Sequence, residues 1–292
     1  MHPRTTRTLP KGSSLSQIIV FTKLLKNKSL AELAGLGQTL GLDGFDLCVR
    51  PGYLVNPNNV LETLAPTVKA LAEAGLTVPM VTGAIDLVDP NQSSVEQILK
   101  AMDRAGVRLF KLGYFPFDPL TQEYWPEVSK ARRVLARWEE LGKTYQVKLC
   151  YHTHSRGFLG QNCAALMHLI DGFNPSYVGA FIDPVHLVLE GEEFMVGAAM
   201  VRPYLSVVSI KDVLLRRVEA EGHSAVAFDV VPCGTGMVDF DSVFSTLRRL
   251  DFAGPLTVHC EFENASPAVF STLVQQEVDF ARRRQQQYLS PK

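Results

Sequence analysis

The chain has 292 residues, of which 46% are hydrophobic and 20% charged, so there is enough apolar material for one large core and a disordered chain is excluded. Its 29 Lys and Arg residues nearly balance 30 Asp and Glu residues, and a net charge of −1 gives no general electrostatic attraction to nucleic acid. The five cysteines are odd in number and contain no CxxC pair, which indicates neither a disulfide framework nor a zinc-finger spacing.

Short β-rich apolar runs alternate with longer helix-period segments along the whole chain. Eight strands are predicted, at 18–22, 44–49, 78–82, 107–112, 147–151, 178–182, 205–210 and 255–260. Eight helices are predicted, at 29–40, 58–75, 93–105, 124–145, 161–171, 192–202, 240–250 and 267–286. The strand starts advance from 18 to 255 in seven steps, or about 34 residues each, which is the size of one βα unit.

This alternation predicts an α/β fold of the (β/α)8 TIM-barrel class in a single domain. We expect residues 1–15 to form an N-terminal tail and residues 16–292 to form the barrel. A doubly wound open sheet would use similar units. However, the first strand runs into Thr22-Lys23-Leu24, without the glycine-rich turn of dinucleotide-binding proteins. The first apolar run is too short for a signal peptide or a membrane span, so a reducing cytoplasm with five buried thiols is expected.

Histidines concentrate at the ends of the predicted strands, where the active sites of TIM barrels lie. Four of the seven histidines follow the fifth, sixth and eighth strands: His152, His154, His186 and His259. Strand alternation places His152 and His154 on one face, which suits two imidazoles on one ion or a pair bonded to neighbours at the rim. Asp183 ends the sixth strand and suits either a metal ligand with His186 nearby or a cap of the following loop.

Charged residues stand at the ends of other strands. Lys211 follows the seventh strand, where a buried ammonium needs an anionic substrate oxygen or a neighbouring carboxylate. Glu261 is the best-placed carboxylate after the eighth strand. Arg50 and Lys111 end the second and fourth strands, and Arg50 either steers a substrate oxygen or neutralises Asp46. Mixed oxygen and nitrogen ligands of this kind suit Mn²⁺, Co²⁺, Mg²⁺ or Zn²⁺ alike.

A long stretch follows the seventh strand, from 213 to 238. It exceeds the roughly 2–6 residues typical of βα loops, which predicts a lid or rim over the mouth of the barrel. The alternatives are a surface excursion or an edge hairpin formed by AVAFDVV. Two glycines in VPCGTGM permit a close approach of the backbone there.

Six segments together resemble one known superfamily. They are GFDLCVRPG (44–52), YHTHS (151–155), FIDPVHL (181–187), SIKD (209–212), VPCGTGMVDF (231–240) and GPLTVHCEFE (254–263). The set is similar to the xylose isomerase-like TIM-barrel superfamily of sugar phosphate isomerases and epimerases, over roughly residues 18–285. That group also includes inosose dehydratase and an endonuclease branch.

The resemblance implies one divalent metal ion, held by Glu, Asp, His and Glu at the fifth to eighth strands. Asp183 and Glu261 match two of these positions, while His152 and Ser209 stand where the family keeps Glu and His. The implied metal ligands are therefore Asp183, Glu261 and His152. With the strand-end positions added to the resemblance, Glu261, His152 and Lys211 are the expected catalytic residues, and Arg50, His154, His186 and Lys111 are the expected substrate-binding residues. If His152 is the base, activity should fall as the pH drops through the histidine range near 6.5.

The predicted function is a sugar or cyclitol isomerase or epimerase, or a related dehydratase, acting by metal-assisted proton transfer. The departures at positions 152 and 209 favour a second hypothesis, a diverged non-catalytic sugar-binding barrel that has lost its metal. An endonuclease-like hydrolase is the third. The expected partner is a small-molecule sugar or cyclitol, with no nucleic acid and no membrane. The substrate, the metal and a homo-oligomeric state stay open.

Overall fold

The computed structural model describes residues 16–220, 222–262 and 265–290, so the predicted tail at 1–15 lies outside the described residues. The strands are β1 (Ile18–Phe21), β2 (Gly44–Cys48), β3 (Thr77–Thr82), β4 (Leu109–Lys111), β5 (Lys148–His152), β6 (Val178–Ile182), β7 (Leu205–Ile210), β8 (Asp212–Ala220), β9 (His223–Val231) and β10 (Leu256–Val258). The helices are α1 (Leu30–Leu40), α2 (Val60–Glu73), α3 (Ser93–Ala105), α4 (Tyr124–Tyr145), α5 (Cys163–Ile170), α6 (Pro184–Leu189), α7 (Phe194–Met200), α8 (Phe240–Arg249) and α9 (Pro267–Tyr288).

Eight parallel strands close into a barrel in the order β1, β10, β7, β6, β5, β4, β3 and β2, while β8 and β9 pair only with each other. The TIM-barrel prediction is confirmed, and all eight predicted strands and helices are present. The structure adds the short helix α6, which is too brief to show a helical period in the sequence. It begins because the Asp183 carboxylate accepts a hydrogen bond from the Val185 N–H and Pro184 occupies the first turn.

Local signals explain where the helices begin and end. At the start of α1, the Ser29 hydroxyl accepts from the Glu32 N–H, and the Glu32 carboxylate accepts from the Ser29 N–H. Gly106 ends α3 with φ of +72°, a left-handed conformation that costs glycine little. The apolar faces of these helices pack on the outside of the barrel, so the main hydrophobic core lies between helices and strands.

The interior of the barrel holds a separate apolar layer below the mouth. It consists of Ile19, Met80, Cys150, Phe181 and Val207. Side chains alternate along a strand, so the residue two positions further on points into the same interior. Those residues are Phe21, Thr82, His152, Asp183 and Ser209. The apolar layer therefore supports a mostly polar layer at the C-terminal mouth.

The segment after β7 forms the hairpin of β8 and β9, one of the alternatives considered for it. Asp212, fully buried at its base, accepts hydrogen bonds from the N–H groups of Val213, Gly234, Gly236 and Val238. A Cβ at Gly236 would lie 2.3 Å from the Asp212 carboxylate, so the close approach predicted for this glycine is confirmed.

The hairpin contacts the loop after β5, where Arg156 donates to the Val226 carbonyl at 3.2 Å. Within the described residues, none of the side chains that line the mouth pocket comes from the hairpin, so the lid stays a prediction. The five cysteines are buried free thiols, as expected. Among the helices described, none has both the length and the apolar character to cross a membrane.

Candidate active site

A small pocket opens at the C-terminal mouth of the barrel. Seven of the eight predicted site residues line it, and the eighth, Asp183, lies fully buried beneath them. The side chains predicted from the strand ends therefore lie together at one mouth of the barrel.

Lys211 joins the two carboxylates of the site. Its ammonium nitrogen lies 3.0 Å from Asp183 Oδ2 and 3.0 Å from Glu261 Oε2. The other oxygen of Glu261 accepts a hydrogen bond from Lys23 Nζ at 2.8 Å. Burial opposes the charged forms, but the Lys211 charge holds the pKa of both carboxyls well below their usual range. The two carboxylates in turn outweigh burial and raise the pKa of Lys211.

Two histidines place their Nε2 atoms near Asp183 Oδ2, and neither forms a hydrogen bond with it. The Ser155 N–H donates to His186 Nδ1 at 3.2 Å, so the neutral ring carries its proton on Nε2, which lies 3.7 Å from Asp183 Oδ2. His152 Nδ1 lies 2.6 Å from the Tyr114 hydroxyl, and its Nε2 lies 3.5 Å from Asp183 Oδ2. Because a carboxylate only accepts, we assign the His152 proton to Nε2 as well.

Burial keeps these imidazoles neutral. It lowers the pKa of His152 to about 3 and that of His259 to about 4, and it holds the pKa of His186 well below its ordinary value. The expectation that His152 titrates near 6.5 is therefore wrong. The sequence places it at a strand end but does not show that the ring is almost completely buried.

His154 is oriented differently from the other histidines. Its Nδ1 lies 2.8 Å from the Ser155 carbonyl oxygen, which can only accept, so Nδ1 carries the proton. In the neutral ring, Nε2 then bears a lone pair, and it makes no hydrogen bond within the described residues. Burial lowers the pKa of His154, and the half-buried ring lines the pocket. His154 can therefore accept a proton from a bound molecule at neutral pH.

Lys111 places a second basic nitrogen in the same pocket. In the part of the chain that the structure describes, its amine makes no hydrogen bond or ion pair and lies 3.6 Å from the centre of the Tyr114 ring. Burial, followed by the nearby Arg50 charge, holds the pKa of Lys111 well below its ordinary value.

Arg50 donates to the Gly83 carbonyl at 2.9 Å rather than to Asp46. Burial raises the pKa of Asp46 to about 7, against the hydrogen bond that Thr82 donates to it.

The side chains do not fit the divalent metal that the family resemblance implies. The carboxylate oxygens of Asp183 and Glu261 that a shared ion would bind already contact the Lys211 ammonium. Ser209, at the position where the family keeps a histidine, is fully buried with an unpartnered hydroxyl. No three His, Cys, Asp or Glu side chains of residues 16–220, 222–262 and 265–290 are grouped so as to hold a metal. The metal stays a prediction of the resemblance, and this arrangement does not support it.

Two residues of the site were not found from the sequence. Tyr114 contacts both His152 and Lys111, and Lys23 pairs with Glu261. Each follows a barrel strand by two or three residues. Lys23 lies beyond the first strand, which carries no other polar candidate, and Tyr114 lies three residues beyond Lys111, the residue that ends the fourth strand.

Comparison with known proteins gives concordant results. The family model described as xylose isomerase-like TIM barrel matches residues 36–284. Inosose dehydratase 1 of Bacillus cereus (strain ZK / E33L) is 30% identical over 156 residues, which cover 50% of each chain. The chain thus spans about half the length of the curated relatives it matches.

Two solved structures share the fold over nearly the whole chain. A 3-keto-D-glucoside 4-epimerase from E. coli is 17% identical, with a TM-score of 0.69 over 92% of this chain and 99% of that chain. A D-psicose 3-epimerase from Clostridium cellulolyticum H10 is 12% identical, with the same TM-score and coverage. At these identities the likeness concerns the fold alone.

Proposed function

The chain belongs to the xylose isomerase-like TIM-barrel family, and on that premise we propose that it is an epimerase or dehydratase of a sugar or cyclitol. The relatives named above act on inososes, 3-keto-glucosides and psicose, as their names state. These compounds all carry a carbonyl group beside hydroxylated carbons. Removal of the proton next to the carbonyl is a step that epimerisation and dehydration can share.

One observation carries the proposal: the unpartnered lone pair of His154 and the positive charge of Lys211 belong to the same pocket. A neutral imidazole is a suitable base near neutral pH. When it removes the proton, negative charge develops on the carbonyl oxygen of the substrate. The ammonium of Lys211 stabilises that charge, because a fixed cation in a water-poor pocket interacts strongly with it.

The following step separates the two reactions. Return of a proton to the opposite face of the carbon gives the epimer, and the ammonium form of Lys111 can donate it. Loss of the hydroxyl from the neighbouring carbon gives a dehydrated product. The ammonium form of Lys111 then donates its proton to the departing oxygen, which leaves as water. Arg50 binds substrate hydroxyls in either case, and His186, whose ring nitrogens face Ser155 and Asp183, is assigned to positioning. His152 and Glu261 are engaged with Asp183, Lys211 and Lys23, so we assign them to positioning.

The proposal is tested by turnover of three substrate classes. The purified protein is incubated with an inosose, a 3-keto-glucoside and a ketohexose, and the products are followed by ¹H NMR. We expect one class to give an epimer or a product that has lost water. Absence of turnover in all three classes contradicts the proposal.

His152 and Ser209 stand where the family keeps Glu and His. These replacements also favour the second hypothesis, a non-catalytic sugar-binding barrel. Its signature differs from that of an enzyme. A binding protein gives saturable binding of one of the three compounds, measured by calorimetry, while the NMR spectrum of the compound stays unchanged.

A further inference from the structure

We propose that the Lys211 ammonium group takes the place of a divalent metal ion, so that this barrel is a metal-independent member of its family. Lys211 is the cation that Asp183 and Glu261 share, and it supplies the positive charge towards which the substrate oxygen binds. The inference rests on the proposed function only for this catalytic use of the charge. The absence of metal binding is a separate property.

The ammonium occupies the position between the carboxylates. Its distances of 3.0 Å to Asp183 and to Glu261 are direct ion pairs, and only 6% of the Lys211 side chain is exposed. A metal ion bound to the same two oxygens would have to displace this ammonium into the pocket or lie beside it. Displacement of the ammonium removes both ion pairs, and a metal ion beside it places two cations in contact.

The neighbouring side chains are adapted to one positive charge rather than to two or more. Lys23 already neutralises the outer oxygen of Glu261 at 2.8 Å. The Ser155 N–H donates to His186 Nδ1, so His186 Nε2 faces Asp183 with a proton rather than with the lone pair that a metal ligand needs. Ser209 presents a hydroxyl in place of an imidazole and is fully buried. A divalent ion would therefore lack ligands on several sides.

The experiment compares metal content in three proteins, with no substrate present. They are the wild type, Ser209→His, and Ser209→His combined with Lys211→Ala. Each is treated with a chelator and then dialysed against Mn²⁺, Co²⁺ or Zn²⁺ at micromolar concentration. Bound metal is measured by mass spectrometry, and the visible absorption of Co²⁺ reports the ligand environment.

We expect the wild type and Ser209→His to bind no stoichiometric metal. The double variant should bind about one equivalent, because it combines a fourth ligand with the removal of the competing cation. Stoichiometric metal in the wild type overturns the inference, as does a folded double variant that binds none. The wild-type measurement decides the question even if the double variant does not fold.

The same design separates this inference from the proposed function. A wild type that binds no metal and turns over no sugar supports the inference and contradicts only the enzyme. A wild type that binds metal and turns over a sugar contradicts the inference and supports the proposed function. For an active wild type, we expect the same kcat with and without chelator, and a large loss of kcat on chelation overturns the inference.

Discussion

Replacement of Lys211 by Met should destabilise the fold strongly, because it leaves two carboxylates without their shared cation. Asp183 is fully buried; its Oδ1 still accepts from the Val185 N–H, but Oδ2 keeps only the Nε2 atoms of His152 and His186, at 3.5 and 3.7 Å. Glu261 keeps its contact with Lys23 at 2.8 Å, so most of the loss falls on Asp183. Removal of one partner from a buried ion pair costs about 3–5 kcal/mol, and we expect a loss in this range at pH 7.

The loss should shrink at low pH, and this distinguishes charge from packing. In the wild type, Lys211 holds the pKa of Asp183 well below its usual range, so this stabilisation is present at neutral pH and lost on acidification. In the variant, the pKa of the buried carboxyl should rise, so protonation near pH 4 relieves the unpaired charge. The difference between the two proteins should therefore be smaller at pH 4 than at pH 7.

Urea unfolding followed by circular dichroism at pH 7 and pH 4 measures both effects. Lys100→Met is the matched control, because Lys100 pairs with Glu96 on the exposed face of α3, where ion pairs contribute little to stability. A loss below about 1 kcal/mol for Lys211→Met at pH 7, or a loss that does not depend on pH, would refute this description of the ion pairs.

Three further predictions follow from the same geometry. His154→Gln should lower kcat by about 10²–10⁴-fold because the amide cannot accept the proton, whereas the exposed His168→Gln should leave kcat unchanged; a loss below about tenfold argues against His154 as the base. Burial lowers the pKa of His259 to about 4, so between pH 4 and 6.5 the unfolded state binds the extra proton and stability falls as the pH drops. His259→Gln should therefore reduce the pH slope of the unfolding free energy by about 1.4 kcal/mol per pH unit, and an unchanged slope contradicts the shift. Asp212→Ala removes the acceptor of four backbone N–H groups and should cost about 3 kcal/mol or more in urea unfolding, with a much smaller loss for the exposed Asp229→Ala; equal losses would show that the buried acceptor is unimportant.

The barrel and the composition of its mouth could be predicted from local patterns. Strand alternation decides which side chains face the interior, so His152, Ser209 and Lys211 were placed there without any knowledge of neighbours. The protonation states could not be predicted in this way. They depend on partners distant in sequence, such as Tyr114 for His152 and Asp183 and Glu261 for Lys211.

The assignment of the base shows the same limit. The sequence favours His152 as base because of its family position. In the structure, however, His154 carries its proton on Nδ1, which leaves the lone pair on Nε2. Only the backbone conformation of the loop after β5 brings the Ser155 carbonyl to that nitrogen. The short helix α6 was missed for a related reason, since one and a half turns contain too few residues for a period to appear.

Exchange of substrate hydrogen with solvent tests the central claim most directly. The chelator-treated protein is incubated in D₂O with an inosose, a ketohexose or a 3-keto-glucoside, and deuterium at the carbon beside the carbonyl is followed by NMR. We predict incorporation well above the uncatalysed rate for one compound, without added metal, and its loss in His154→Gln. Exchange at the uncatalysed rate for all three compounds would contradict the account.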